Sequence, residues 1–390
     1  MPSRNSFLAL AEGVSLKRLE FPAVYDARTD ELYEVDPGGF EELSRCDGTL
    51  AVAESAFPRT FLAFCLDEGL LLELAEPENR PVPVGINESP SLRYLMLEVT
   101  DRCNLACRHC YLGDAVGLEL SIDTVKTVLD EFDGMGGLRL IVTGGEPLLH
   151  PGFEAINEAI AGRSCRTILI TNGTMLSEEL CRGLAFNEVQ VSLDGMQKGH
   201  DSIRGTGSFE RAREGIECLR LADVPVSIAT MVHSGNTAEL DALEALVMDL
   251  EAVSWTLDVP CEAGRMEGGA GSILPPLDGA AAELGRAFGS EQHSPSGEYA
   301  CGAHLACVKA DGLLAKCGFY EDWNGGPVGQ GLRRAWLALP RLRLEELDCR
   351  CEALYECGGG CRFRAEATGG RTAPDPLKCA QYGVESPTGI

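Results

Sequence analysis

Three cysteines share one short loop. In the run T-D-R-C-N-L-A-C-R-H-C-Y, Cys103, Cys107 and Cys110 stand in C-x3-C-x2-C spacing. Three thiolates so placed can hold three irons of a [4Fe–4S] cube and leave the fourth iron without a protein ligand. An open iron is a binding position, as the open position of a catalytic zinc is. The same triad also suits a zinc ion completed by His109 or an incoming carboxylate. A second constellation lies further on: Cys301-x5-Cys307-x9-Cys317, then Cys349-x-Cys351-x5-Cys357-x3-Cys361-x17-Cys379. Eight thiols are what two four-ligand sites require, whether the sites hold cubes or structural zinc. The other six, Cys46, Cys65, Cys165, Cys181, Cys218 and Cys261, are read as small buried hydrophobes. Of these, Cys261 alone falls near the expected mouth of the fold.

The first triad directly follows Tyr94–Val99, a near-continuous apolar strand. Beyond it strand and helix alternate, with strands predicted at Leu138–Val142, Thr167–Ile170, Val189–Leu193, Val226–Met231 and Ser254–Val259. The helices between them are predicted at Ser121–Met135, Phe153–Ile160, Ser177–Ala185, Ser208–Leu221 and Ala238–Leu250. Six βα-type units imply an α/β fold with a parallel sheet, open or an incomplete barrel, whose chemistry sits at the strands' C-terminal ends. Residues 91–260 are therefore read as a partial (β/α)6 barrel. Residues 1–78 read as a small α+β module with strands at Ala23–Tyr25 and Leu32–Val35, and the proline-rich residues 79–90 as an extended linker. Residues 261–300 read as a second linker with one helix at Gly279–Phe288. Residues 301–390 are Cys- and Gly-rich and need metal cross-links to fold.

Charge and composition narrow the function classes. The chain has 390 residues, 45% hydrophobic and 24% charged, and a net charge of −27. Such a surface repels phosphate backbones and anionic lipid, which argues against nucleic acid or membrane as partners. The N-terminal module carries six basic and sixteen acidic residues up to Glu78. The N-terminus lacks a signal-peptide pattern and no run of about 18 uncharged apolar residues occurs, so a soluble cytoplasmic protein with reduced thiols is expected.

The cysteine loop resembles that of the radical-SAM enzymes. The resemblance continues through Gly144-Gly145-Glu146-Pro147 after the second barrel strand, Thr171-Asn172-Gly173 after the third, Ser192-Leu193-Asp194-Gly195 after the fourth, and His200-Asp201 with Arg204-Gly205. It implies that S-adenosylmethionine (SAM) chelates the open iron and is cleaved reductively to a 5′-deoxyadenosyl radical. It also implies SAM contacts at Gly144, Gly145, Glu146, Asn172, Ser192 and Arg204, with Ser192 and Arg204 on the carboxylate. An electron donor such as ferredoxin or flavodoxin is implied as a partner. Asn172 and Ser192 could equally be helix caps.

The C-terminal cysteines resemble the SPASM extension of radical-SAM peptide-modifying enzymes, which holds two auxiliary [4Fe–4S] clusters. Its interleaved pattern implies Cys301, Cys307, Cys317 and Cys361 for the first and Cys349, Cys351, Cys357 and Cys379 for the second. The usual C-x2-C is here C-x-C at Cys349 and Cys351, which could strain the second site. The N-terminal module resembles the leader-peptide recognition domains of ribosomal-peptide modifying systems. Together these imply an enzyme that installs a crosslink, thioether or oxidation on a leader-bearing peptide. A radical-SAM enzyme for a tetrapyrrole or other cofactor precursor, and a non-enzymatic cluster or zinc scaffold, are the alternatives. Asp258 and Glu262 are candidates for a general base.

Overall fold

Short apolar alternations before residue 90 fold into two small sheets. The computed structural model describes residues 6–267, 273–289 and 297–384. Strands β1 (Phe7–Leu10), β2 (Val14–Arg18), β3 (Pro22–Asp26) and β4 (Glu31–Glu34) precede helix α1 (Pro37–Leu43); β5 (Asp47–Ala51), α2 (Arg59–Asp67), β6 (Leu71–Leu74) and β7 (Val84–Ile86) follow. One sheet runs β5-β1-β6 and the other β4-β3-β2-β7. Asp36 caps α1 by accepting from the Gly39 amide (2.9 Å). Leu8, Leu16, Val24, Phe40, Leu43 and Leu62 close a core between the sheets and the two helices. The stretch read as a linker is partly sheet: β7 pairs parallel with β2, and at Gly85 a Cβ would lie 2.2 Å from the Gly136 Cα. Only glycine admits that approach, and proline-rich flanks hid the strand.

The middle of the chain alternates as its hydrophobic pattern requires: β8 (Tyr94–Glu98), α3 (Ile122–Gly134), β9 (Arg139–Thr143), α4 (Phe153–Ile160), β10 (Arg166–Thr171), α5 (Glu178–Arg182) and β11 (Glu188–Ser192). Then come α6 (Gln197–Arg204), α7 (Ser208–Leu221), β12 (Val226–Met231), α8 (Leu240–Asp249) and β13 (Ser254–Asp258). Strands β8 to β13 are neighbours in sequence order and all parallel. Their inner and outer residues build the main core with α3, α4, α7 and α8, through Val128, Phe132, Ile156, Ile216 and Val247.

The remaining elements are α9 (Leu277–Glu283), β14 (Leu305–Val308), β15 (Leu313–Ala315), β16 (Asn324–Pro327), α10 (Leu332–Ala338), α11 (Leu354–Cys357), α12 (Arg362–Gly369) and α13 (Pro376–Gln381). Strand β14 adds parallel to β8, with Cys307 opposite Met96, and β15 and β16 continue antiparallel, giving nine strands in all. The Cys-rich region thus shares the barrel's sheet. No helix among the described residues is long and apolar enough to cross a membrane.

The N-terminal module is seated on the barrel by buried polar groups. Lys17, 0% exposed, donates to the Gly137 and Ser164 carbonyls (3.0 and 2.8 Å). Arg166 donates to the carbonyls of Ala27 and Arg28 (3.1 and 3.0 Å) and pairs with Glu188 (2.7 Å). Tyr25 and Ala27 pack on Leu138.

Candidate active site

The loop after β8 is fixed from several sides. The Gly145 amide donates to the Thr100 carbonyl (2.8 Å) and the Glu146 amide to that of Arg102 (2.7 Å). A Cβ on Gly144 would lie 2.3 Å from the Thr100 oxygen, and one on Gly145 2.4 Å from the Arg102 oxygen. The glycine pair is therefore required first by the loop, which lies directly on the end of β9. From α6, the Ile203 carbonyl accepts from the Arg108 amide (2.8 Å). Beyond β13, Arg265 donates its amide to the Cys110 carbonyl (3.0 Å) and its guanidinium to that of Cys107 (3.3 Å).

The loop caps a cavity of about 430 Å³ lined by residues at the C-terminal ends of the parallel strands. Cys103, Cys107, Cys110, Gly144, Gly145, Asn172, Ser192 and Arg204 all line it. Glu146 does not: it is 0% exposed and accepts from Thr171 Oγ1 (2.8 Å) and the Asn172 amide (2.9 Å). Burial raises its carboxyl to about 7. Its place is behind the cavity wall, holding the end of β10. Asn172 faces the loop, its amide nitrogen donating to Asn104 Oδ1 (2.8 Å) and lying 3.9 Å from Cys103 Sγ.

Arg204 is partly buried beside the fully buried Asp194, its Nε donating to the carboxylate. Asp194 also accepts from the Met231 amide (2.7 Å). Although burial alone opposes its charge, Arg204 and its other neighbours hold Asp194 well below the usual carboxylate range. His109 reaches the same pair, with Nε2 3.5 Å from Arg204 Nη2 and 3.6 Å from Asp194 Oδ2. Burial lowers the His109 imidazole to about 4, so it is neutral at pH 7. The sequence offers His109 only as a zinc ligand beside the triad and gives Asp194 no role of its own; their meeting with Arg204 is hidden there because Asp194 and Arg204 are distant from His109 along the chain.

These residues fit a cluster and a polar cofactor. Three thiols share the cavity wall, and the Leu105 amide points at Cys103 Sγ (3.4 Å), a donor that favours thiolate. Burial keeps Cys107 at about 11 until a cation displaces its proton. His109 Nδ1 is buried without a hydrogen-bond partner among the described residues, so a polar ligand atom in the cavity would satisfy it.

The C-terminal thiols gather in two places. Cys349, Cys351, Cys357 and Cys379 line one small recess, the C-x-C pair included. Cys301, Cys317 and Cys361 are close enough that each thiolate disfavours the next, and Cys307, buried on β14, is raised by Cys317 as well as by burial. Asp375 serves both places, accepting from the Cys361 amide (2.7 Å) while capping α13, which carries Cys379 (Leu377 amide, 3.1 Å). Among the described residues, no three Cys, His, Asp or Glu side chains close to the spacing of one ion. Cys261 lines the main cavity. Asp258 also lines the cavity but is paired with Arg364 (2.7 Å), while Glu262 is exposed and not among the lining residues.

A cysteine loop thus caps the C-terminal ends of six parallel strands. Residues 97–246 match the family model of the Radical SAM superfamily, and the chain carries a radical SAM domain. It is similar to the AdoMet-dependent heme synthase of Methanosarcina barkeri, 37% identical over 181 residues, 44% of this chain and 52% of that one. It is also similar to the antilisterial bacteriocin subtilosin biosynthesis protein AlbA of Bacillus subtilis, 32% identical over 190 residues, 46% of this chain and 42% of that one. The chain spans about half the length of the curated relatives it matches. Among solved structures, Streptococcus suis SuiB shares the fold over 95% of this chain and 99% of that one, with TM-score 0.68 at 12% identity.

Proposed function

We propose that the chain is a radical-SAM enzyme that modifies a ribosomally synthesised, leader-bearing peptide, supplied with electrons by a ferredoxin or flavodoxin. The observation that carries the enzymatic part is the single cavity shared by Cys103, Cys107, Cys110, Asn172, Ser192 and Arg204. The three cysteines would hold a [4Fe–4S] cluster; Arg204 and Ser192 would hold the SAM carboxylate, with Gly144 and Gly145 beside them. When bound, the pair supplies reductive cleavage of SAM as the source of an abstracting radical. The chain's own contribution is orientation: Asp194 keeps the Arg204 guanidinium in place, and neutral His109 offers an uncharged nitrogen. The C-terminal thiols would hold two auxiliary clusters.

The peptide part is supported by the N-terminal module. Strand β4 is the edge of its sheet, and an edge offers N–H and C=O groups to an added strand. Beside it α2 presents aromatic rings: Tyr33 of β4 meets Phe64 edge-on at 5.6 Å, and Phe61 stacks on Phe64 at 6.5 Å. Phe64 is 39% exposed. Glu31 and Glu68 accept from the Tyr33 hydroxyl beside these rings, which suits a basic leader.

The likeness to a heme synthase favours a second reading, a tetrapyrrole substrate. Deleting the module would not separate the two, because it would uncover Lys17's partners and Arg166. Single substitutions in the groove do. Under anaerobic conditions with SAM and dithionite, Phe64→Ala should raise the KM for the peptide roughly tenfold, the loss of one aromatic anchor. Uncoupled 5′-deoxyadenosine formation should be unchanged. Mass spectrometry of the peptide and liquid chromatography of the nucleoside read the two. Equal peptide turnover by the variant, or consumption of a porphyrin instead, favours the tetrapyrrole.

A further inference from the structure

Two cations lie buried among the C-terminal thiols. Arg362, 2% exposed, opens α12 directly after Cys361. Its guanidinium donates to main-chain carbonyls alone: Arg371 (3.0 Å), Ala373 (2.8 Å), Gly360 (3.4 Å) and Gly359. Gly359 lines the recess of Cys349, Cys351, Cys357 and Cys379, and its amide donates to Cys357 Sγ (3.3 Å). The guanidinium therefore sits on the segment that joins one group of thiols to the other. Lys316, 5% exposed, precedes Cys317, and its Nζ donates to the carbonyl of Gly302, the neighbour of Cys301 (2.7 Å). The Trp323 ring lies 5.9 Å from it. Neither cation has a carboxylate partner among the described residues. Asp375, packed against Gly360, is engaged by Arg364 (3.3 Å) and by the Cys361 amide (2.7 Å).

Carbonyls orient a cation without neutralising it, and a buried charge is costly unless an opposite charge meets it. Neutral thiols supply none. A cube held by four thiolates is an anion, and it gains one more negative charge on reduction. We propose that Arg362 and Lys316 are the counter-charges of the auxiliary sites, Arg362 for both and Lys316 for the first, and that they set how readily those sites accept an electron. The inference rests on the reading of the C-terminal thiols as cluster ligands. A cation beside the cube favours its reduced state, because the added charge is attracted to it. The guanidinium keeps its charge at every working pH. Both are positioning residues, acting through the clusters and touching no reacting atom.

The test is an EPR-monitored dithionite titration of the full chain, reconstituted anaerobically. Changing Cys103, Cys107 and Cys110 to Ala in the parent leaves the C-terminal sites as the source of signal, with about eight irons. Arg362→Gln should make reduction about tenfold harder, a fall of about 59 mV in midpoint. Arg362→Lys, which keeps the charge, should hold the parent midpoint. Lys316→Met should lower the midpoint of one site and leave the other. If Arg362→Gln keeps its irons and the parent midpoints, the guanidinium only ties carbonyls together, and the inference is wrong while the cluster reading stands. An equal fall in Arg362→Gln and Arg362→Lys also overturns it, since charge is then not the cause. Should the neutral variants fail to take up iron, Arg362→Lys and Lys316→Arg decide: iron retained in both supports the counter-charge, and iron lost in either overturns it. A parent holding two zincs in place of the irons overturns both readings.

Discussion

Asp194 has no exposure to solvent, yet its carboxylate receives Arg204, the Met231 amide and the edge of His109. In the sequence it is one residue of S-L-D-G, indistinguishable from a turn former. Removing one partner of a buried pair leaves the other charge uncompensated, at about 3–5 kcal/mol. Asp194→Asn should therefore lower the thermal midpoint and weaken SAM binding together, read by calorimetry and equilibrium dialysis; a variant that melts like wild type would show that Arg204 does not depend on it. At Cys103, Cys107 and Cys110 the expectation is simpler. The triple alanine variant should lose about four irons and all 5′-deoxyadenosine formation under dithionite, and retained cleavage would remove the enzymatic reading. The cysteine loop was legible because its ligands are local. The glycines after β9 were legible as a motif, but their first role, giving room to the backbone of Thr100 and Arg102, is visible only once the loop lies on the strand.

Six barrel strands and most of their helices follow from apolar periodicity, and their observed bounds differ from the predicted ones by a residue or a few. What escaped was polar or short. Helix α6 reads Q-K-G-H-D-S-I-R, with no apolar stripe to announce it, although it carries Arg204. Strands β14 to β16 are three or four residues each, and β14 is defined by its partner β8 and not by its own pattern. The seating of the N-terminal module was equally hidden, since a lysine at position 17 reads as surface. Burial lowers the Lys17 ammonium to about 8. Between about 8 and the ordinary 10.5 the folded protein thus binds fewer protons than the unfolded one, and stability rises with pH across that window. Measured by urea unfolding, wild type should improve against Lys17→Met by on the order of 3 kcal/mol from pH 8 to 10.5. At pH 7 the variant removes the donor to the Gly137 carbonyl, while the Ser164 carbonyl keeps its bond from Ser15 Oγ (3.1 Å). A constant difference across the window would mean that the ammonium is not desolvated at this contact.

At the scale of the molecule, the proposal that the eight C-terminal thiols hold clusters makes the last quarter of the chain dependent on metal. Anaerobic reconstitution should give about twelve irons with matching sulfide, and chelation of the auxiliary sites should melt residues after Cys301 before the barrel, as hydrogen exchange would record. The net charge of −27 comes from the residues before Cys301, since eleven basic and eleven acidic residues balance in 301–390, and it keeps such a protein dispersed. One contact has a bearing on how the chain is made. Strand β8 finds its outer neighbour only in β14, and their junction is sealed by Lys309 on Glu98, 211 residues apart (3.1 Å). A ribosome releases β8 long before β14. Through that interval the first barrel strand keeps an open side, with unpaired backbone groups available to any neighbouring nascent chain. Completion of the sheet then falls on the residues around Cys307, a proposed iron ligand, so on that proposal a cell short of clusters during synthesis would accumulate aggregates as well as inactive enzyme.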